Sequence, residues 1–175
     1  MGAKDIRNLT PDAVQGFTPS QVSELTPKAV KGFSADQISN LPKKTFKALE
    51  SVQLAKLSKD AVTGLTAGQL RTLSGDEISA FKPSRIKAID PDSVSGLKPQ
   101  TLNAFSKRQT KVLSDDQLAG LTKRQVKKAD DFIDALSDKQ TNALSFGANR
   151  SERLAIDPMN PEQDLVFNTN VDPLG

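Results

Sequence analysis

The chain has 175 residues, with 24 Lys and Arg against 21 Asp and Glu, 36% apolar residues, and no histidine, cysteine, tryptophan or tyrosine. Disulfides, thiolate nucleophiles and imidazole chemistry are therefore excluded, and the usual general base and metal ligand are missing, so the composition argues against an enzyme although carboxylate chemistry remains open. The apolar content is compatible with folding, and no apolar run approaches the roughly 20 residues needed to cross a bilayer.

The N-terminus, MGAKDIRNL, lacks the apolar middle of a secretory signal. Three expectations stay open: a cytoplasmic protein if the chain is complete, export without a cleaved signal, or an excised piece of a longer protein. From Thr10 to Leu144 the chain then repeats one eight-residue phrase seventeen times, as in TPDAVQGF (10–17), TPSQVSEL (18–25) and SADQISNL (34–41). Position five is apolar at Val14, Val22, Val30, Ile38, Phe46 and Leu54, and position eight at Phe17, Leu25, Phe33 and Leu41. A period held this long means an array of like units.

Geometry narrows the fold. A continuous helix advances about 100° per residue, so an eight-residue period overshoots two turns by roughly 80° and would wind its apolar stripe around the rod. Prolines 11, 19, 27, 83, 91 and 99 would also interrupt it. A β-solenoid fails because apolar positions alternate spacings of three and five, both odd, which sends successive ones to opposite faces of a strand. One short helix per octad, of about six residues, remains.

Position one supports this, being Ser, Thr or Asp in 13 of 17 octads, the exceptions being Pro42, Glu50, Lys82 and Lys98. These residues accept hydrogen bonds from unpaired N–H groups at a helix start. Every proline of the array except Pro42 stands at position two, where its missing donor costs nothing. Gln or Glu at position four completes a reciprocal capping box in Thr18/Gln21, Ser34/Gln37, Thr66/Gln69, Ser74/Glu77, Ser106/Gln109, Ser114/Gln117, Thr122/Gln125 and Ser137/Gln140.

Helices this short are not stable alone, so they must stack. Position seven is small in alternate octads (Gly16, Gly32, Ala48, Gly64, Ala80, Gly96), which predicts a 16-residue coil of two helices in a narrow all-α solenoid, with one layer of A helices and one of B helices. Eight or nine coils at about 8–10 Å would make a rod of about 70–90 Å. The glycines fit either close helix contact or a left-handed helix end, and the second is the expectation. One residue of spacing is lost at ADDFIDAL (129–136), which predicts a kink or a cap, with Asp130 in the cap position.

Residues 1–144 thus form the repeat array, and residues 145–175 a non-repeat tail. Residues 1–129 carry 21 Lys and Arg against 12 Asp and Glu, net +9, and residues 130–175 carry 3 against 9, net −6, which together give +3. The tail is expected to act as a strap capping the exposed end of the array, or as an acidic segment docking on the basic array of its own or another molecule.

Basic residues recur at 16-residue spacing. Lys28 matches Lys44, Lys31 matches Lys47, and Lys107, Arg108 and Lys111 match Lys123, Arg124 and Lys127. On a 16-residue coil they form ladders suited to a polyanion, nucleic acid or an acidic surface, although Asp76, Glu77, Asp90 and Asp92 interrupt the track and no aromatic residues interleave for base stacking. The plain alternative is a solvated face.

The openers LTPDAV (9–14), FTPSQV (17–22) and LTPKAV (25–30) resemble the start of each repeat in the bacterial TAL-effector DNA-binding family over about six residues, a likeness assigned to shared capping chemistry. The whole stretch Thr10–Leu144 resembles the octapeptide arrays, L-S/T-x-x-Q-V-x-x-L, of large bacterial secreted or surface-attached, adhesin-like proteins. That resemblance implies a spacer, stalk or assembly module outside the cell.

Two sequons, at Asn8 and Asn149, are common chance matches. Asp90-Pro91-Asp92 and Asp130-Asp131 lack the glycine and distal glutamate of a calcium loop, so no metal, cofactor or catalytic residue is assigned. The reading is a non-catalytic structural or protein-interaction module. It would bind a protein partner or associate end to end, with polyanion binding as the alternative and no membrane insertion.

Overall fold

The computed structural model describes residues 1–144. They form eighteen short helical segments of four to six residues and, among the described residues, no strand. Sixteen segments are α-helical, and two, Ala29–Gly32 and Pro91–Gly96, are 3-10 helices. Each octad contributes one segment, from Pro11–Gln15 to Asp138–Asn142. The array also begins one octad earlier than Thr10. Residues 2–9 carry the helix Ala3–Arg7, with Ile6 fully buried and the Gly2 N–H donating to Asp5 Oδ2 at 2.7 Å. The signal was present, because Ile6 and Leu9 stand eight residues before Val14 and Phe17.

Most helices start where the opener is extended and its side chain turns back, as at Thr18 (φ −85°, ψ 158°) and Ser74 (φ −84°, ψ 171°). All eight expected capping boxes form. Where position four is alanine, half the box remains: Thr10, Thr26 and Ser58 still accept from the N–H groups of Ala13, Ala29 and Ala61. Pro42, Glu50, Lys82 and Lys98 make no side-chain cap bond. Outside the octad that ends at Ala129, each octad closes on a tighter i to i−3 bond, in which the position-eight N–H donates to the position-five carbonyl, as Leu41 does to Ile38 at 3.1 Å and Leu73 to Leu70 at 3.2 Å. Position eight then swings to extended backbone, for example Phe33 at φ −63°, ψ 135°, and the next opener follows. The alternation of cap and extension keeps every helix to about one turn.

Helix stacking follows a count of three octads, not two. Pro11–Gln15 packs on Ala35–Asn40, that helix on Lys59–Thr63, then Pro83–Ile86, then Lys107–Thr110. A second column runs Pro19–Ser23, Lys43–Phe46, Ala67–Leu70, Pro91–Gly96, Asp115–Ala119, and a third includes Ser51–Leu54, Gly75–Ser79, Pro99–Asn103, Lys123–Lys128. Odd octads therefore pack on even ones, so the two-helix, 16-residue coil with separate A and B layers is not the packing unit. The apolar residues of positions five and eight enter one continuous core running from Ile6 to Leu144, with the buried threonines Thr110 and Thr141 standing at position five of their octads.

The glycines explain the close approach. No glycine among residues 1–144 is left-handed, against expectation; Gly16 and Gly120 sit in the right-handed helical region (φ −75° and −74°). A β-carbon on Gly32 would lie 2.2 Å from the carbonyl oxygen of Ala3, one on Gly64 2.0 Å from that of Ala35, and one on Gly96 2.0 Å from that of Ala67. Glycine at position seven thus meets position two of the octad three earlier, with no room for a side chain between the two backbones.

The irregular octad behaves differently from expectation in one respect. Helices Lys123–Lys128 and Asp130–Asp134 are separated only by Ala129 (φ −113°, ψ 63°), which is fully buried and forms the kink. Asp130 is the first helical residue and Ala129 occupies the cap position. Alanine supplies no oxygen, and the missing cap is borrowed: the Phe132 N–H donates to Asn103 Oδ1 at 3.1 Å, from a helix four octads away. The Phe132 ring also meets Phe105 edge-on, centroids 5.7 Å apart.

Candidate functional site

Two sets of side chains stand out: the basic residues on the surface and the glutamines inside. All ten predicted basic residues, Lys28, Lys31, Lys44, Lys47, Lys107, Arg108, Lys111, Lys123, Arg124 and Lys127, are exposed. They do not stack as two ladders, because octads two apart are not the main packing partners. The segment Ala29–Gly32, which contains Lys31 and follows Lys28, packs on Ala3–Arg7, whereas Lys44 lies in Lys43–Phe46 and Lys47 just after it, a helix that packs on Pro19–Ser23 and Ala67–Leu70. Lys107 and Arg108 lie in the helix that packs on Pro83–Ile86, and Lys123, Arg124 and Lys127 in the one that packs on Pro99–Asn103.

The stack instead assembles a different basic face. Octads 82–89 and 106–113, on adjoining helices, carry Lys82, Arg85, Lys87, Lys107, Arg108 and Lys111 and no acidic residue. Arg85 is held by its Nε–H, which donates to the Leu57 carbonyl. An open groove of about 540 Å³ adjoins this face, where Lys139, four octads on, joins Lys107 and Lys111 opposite Asp115. Reading the array at 16-residue spacing missed Lys82, Lys87 and Lys139; a 24-residue spacing would have found Lys87 above Lys111.

The glutamines at position four carry a second role that their capping motif did not reveal. In Gln69, Oε1 accepts from the Thr66 N–H at 3.0 Å, while Nε2 donates to the carbonyls of Ile38 and Leu41 at 2.7 and 2.9 Å. Those carbonyls lie 31 and 28 residues earlier, at positions five and eight of the octad four before. Gln37, Gln53, Gln109, Gln117 and Gln125 repeat the arrangement, each buried to 2–3% exposure. Thr45 and Thr101 make one such bond each, to the carbonyls of Phe17 and Leu73. One amide thus ties the start of one helix to the open carbonyl end of another, at the cost of a buried polar group that is fully paired.

Asp60 contributes a cap between octads, accepting from the Ala35 N–H at 3.2 Å, and Asp90 accepts locally from the Asp92 N–H at 2.8 Å. Asn8 of the first sequon is exposed, while Asn149 and the whole tail lie outside the described residues. No described helix is long and apolar enough to cross a membrane. No protein-family model, curated protein or solved structure matches the chain.

Proposed function

We propose that the chain is a non-catalytic structural or protein-interaction module, an α-solenoid that acts as a spacer or scaffold. One observation carries this reading: most openers are spent on capping their own helices, while most position-four residues and the apolar side chains hold other octads, through contacts that recur at three and four octads along the array. Those positions are consumed by architecture, and positions three and six supply most of the exposed surface. A turn of between three and four octads makes the solenoid shorter and wider than a 16-residue coil, about five turns or roughly 40–50 Å at ordinary helix spacing. The octapeptide resemblance implies a spacer of this kind in a bacterial secreted or surface-attached protein.

Duplicating residues 34–129 tests the reading. That block is twelve octads, a multiple of both three and four, so contacts across the junction keep their register. Small-angle scattering should show the maximum dimension growing by about 30 Å at constant cross-section; growth in all directions would overturn the solenoid.

A second reading, polyanion binding, is favoured by the acid-free face of octads 82–89 and 106–113. Affinity for duplex DNA should fall about tenfold or more between 50 and 200 mM salt, and Lys87→Glu with Lys111→Glu should abolish it. Binding insensitive to salt would exclude this reading.

A further inference from the structure

The first three octads expose an unfilled copy of the contacts that hold the rest of the array together. Gln21 forms its capping box like the buried glutamines, with Oε1 accepting from the Thr18 N–H at 2.9 Å, yet it is exposed and its amide nitrogen has no partner among the described residues. Gly16 holds the position of Gly32, Gly64 and Gly96, but a β-carbon there would meet only the Ala13 carbonyl oxygen, at 3.4 Å. Leu9, Phe17 and Leu25 are half-buried, whereas their equivalents Phe33, Leu41 and Leu49 are 2% exposed. At the other end, the carbonyls of Ile133 and Leu136, which hold positions five and eight, receive no side-chain amide among the described residues.

We propose that this N-terminal face docks on the C-terminal end of the array in a second copy of the chain, continuing the same contacts across the junction. The inference rests on the solenoid reading above. Counting onward from the octad that ends at Leu144, the incoming Gln21 falls four octads above the helix Asp130–Asp134. Its amide then donates to the carbonyls of Ile133 and Leu136. Gly16 falls three octads above the same helix and admits its backbone, as Gly64 admits that of Ala35. Leu9, Phe17 and Leu25 are covered in the same step. The contact joins two different faces, so it does not close on itself, and it generates open head-to-tail fibres instead of dimers.

The full chain should be followed by sedimentation equilibrium from about 10 µM to 1 mM at physiological salt, with mean mass rising without a plateau at the dimer. Gly16→Phe should hold the protein monomeric while leaving its circular dichroism and melting temperature unchanged, since the site is open within one chain. Gln21→Glu keeps the capping box, as Glu77 does with Ser74, but removes the donor; it should weaken association at least tenfold. A wild-type chain that stays monomeric throughout overturns the proposal, as do two variants that assemble like wild type. An array that lengthens on duplication yet stays monomeric refutes the stacking alone and leaves the solenoid standing.

Discussion

Position four shows how much one side chain can decide. Glutamine fits because its two ends differ: the oxygen closes the capping box and the nitrogen reaches two carbonyls four octads back. Glu77 keeps only the first half, with Oε2 accepting from the Ser74 N–H at 2.7 Å, and a carboxylate has nothing to donate to the carbonyls of Phe46 and Leu49, which stand 31 and 28 residues earlier. Glu77→Gln should supply the missing amide and stabilise the protein by about 1 kcal/mol, read from the urea midpoint at unchanged slope. Gln69→Ala, which strands the same carbonyls at Ile38 and Leu41, should cost about 2–4 kcal/mol by the same measurement. Residue-scale reading of the sequence found the capping box because its partners are three residues apart. It missed the amide bonds because nothing local distinguishes a carbonyl 28 residues away.

At the scale of the helix, stability divides between ends and neighbours. Lys98 precedes Pro99 as Thr18 precedes Pro19, but it supplies no cap bond. Lys98→Thr should add about 0.5–1 kcal/mol in thermal or urea unfolding. Glycine at position seven gives a sharper contrast. Gly64→Ala drives a methyl into the backbone of Ala35, where no flexible atom can yield, and should destabilise by more than about 3 kcal/mol. Gly16→Ala meets only ordinary contact and should be neutral or stabilising by up to about 1 kcal/mol. Helix existence, start and apolar face were all legible, since each depends on residues within one octad. The glycine role was not, because a left-handed helix end and a close backbone approach both demand a missing side chain, and only the octad three earlier separates them. Small residues at Ala3, Ala35 and Ala67, 32 apart and opposite Gly32, Gly64 and Gly96, were the available clue.

For the whole molecule, the governing quantity is the distance in sequence between contacting octads. The alternating pattern at position seven suggested two octads, and it misled because every second octad of the early array is small there while the tight contacts recur every fourth. The basic ladders rested on the same spacing: their ten residues are exposed, but helices two octads apart are not the main packing partners. Contacts at three and four octads also mean that a short array cannot satisfy itself. A peptide of residues 1–25 contains no pair of octads three apart within the repeat and should be unfolded by circular dichroism, whereas residues 1–105 should be helical and unfold cooperatively.

The backward reach of the glutamine amide gives the chain a direction in time. Gln37 finds its acceptors at Ile6 and Leu9, both already synthesised when it emerges, and each later glutamine likewise points toward the N-terminus. During translation the first three octads must wait unpaired. Thereafter every octad leaving the ribosome meets a finished edge of donors, acceptors and apolar side chains, so folding advances at the pace of synthesis with only about four octads exposed at once. A longer array would expose no more unpaired chain than a short one.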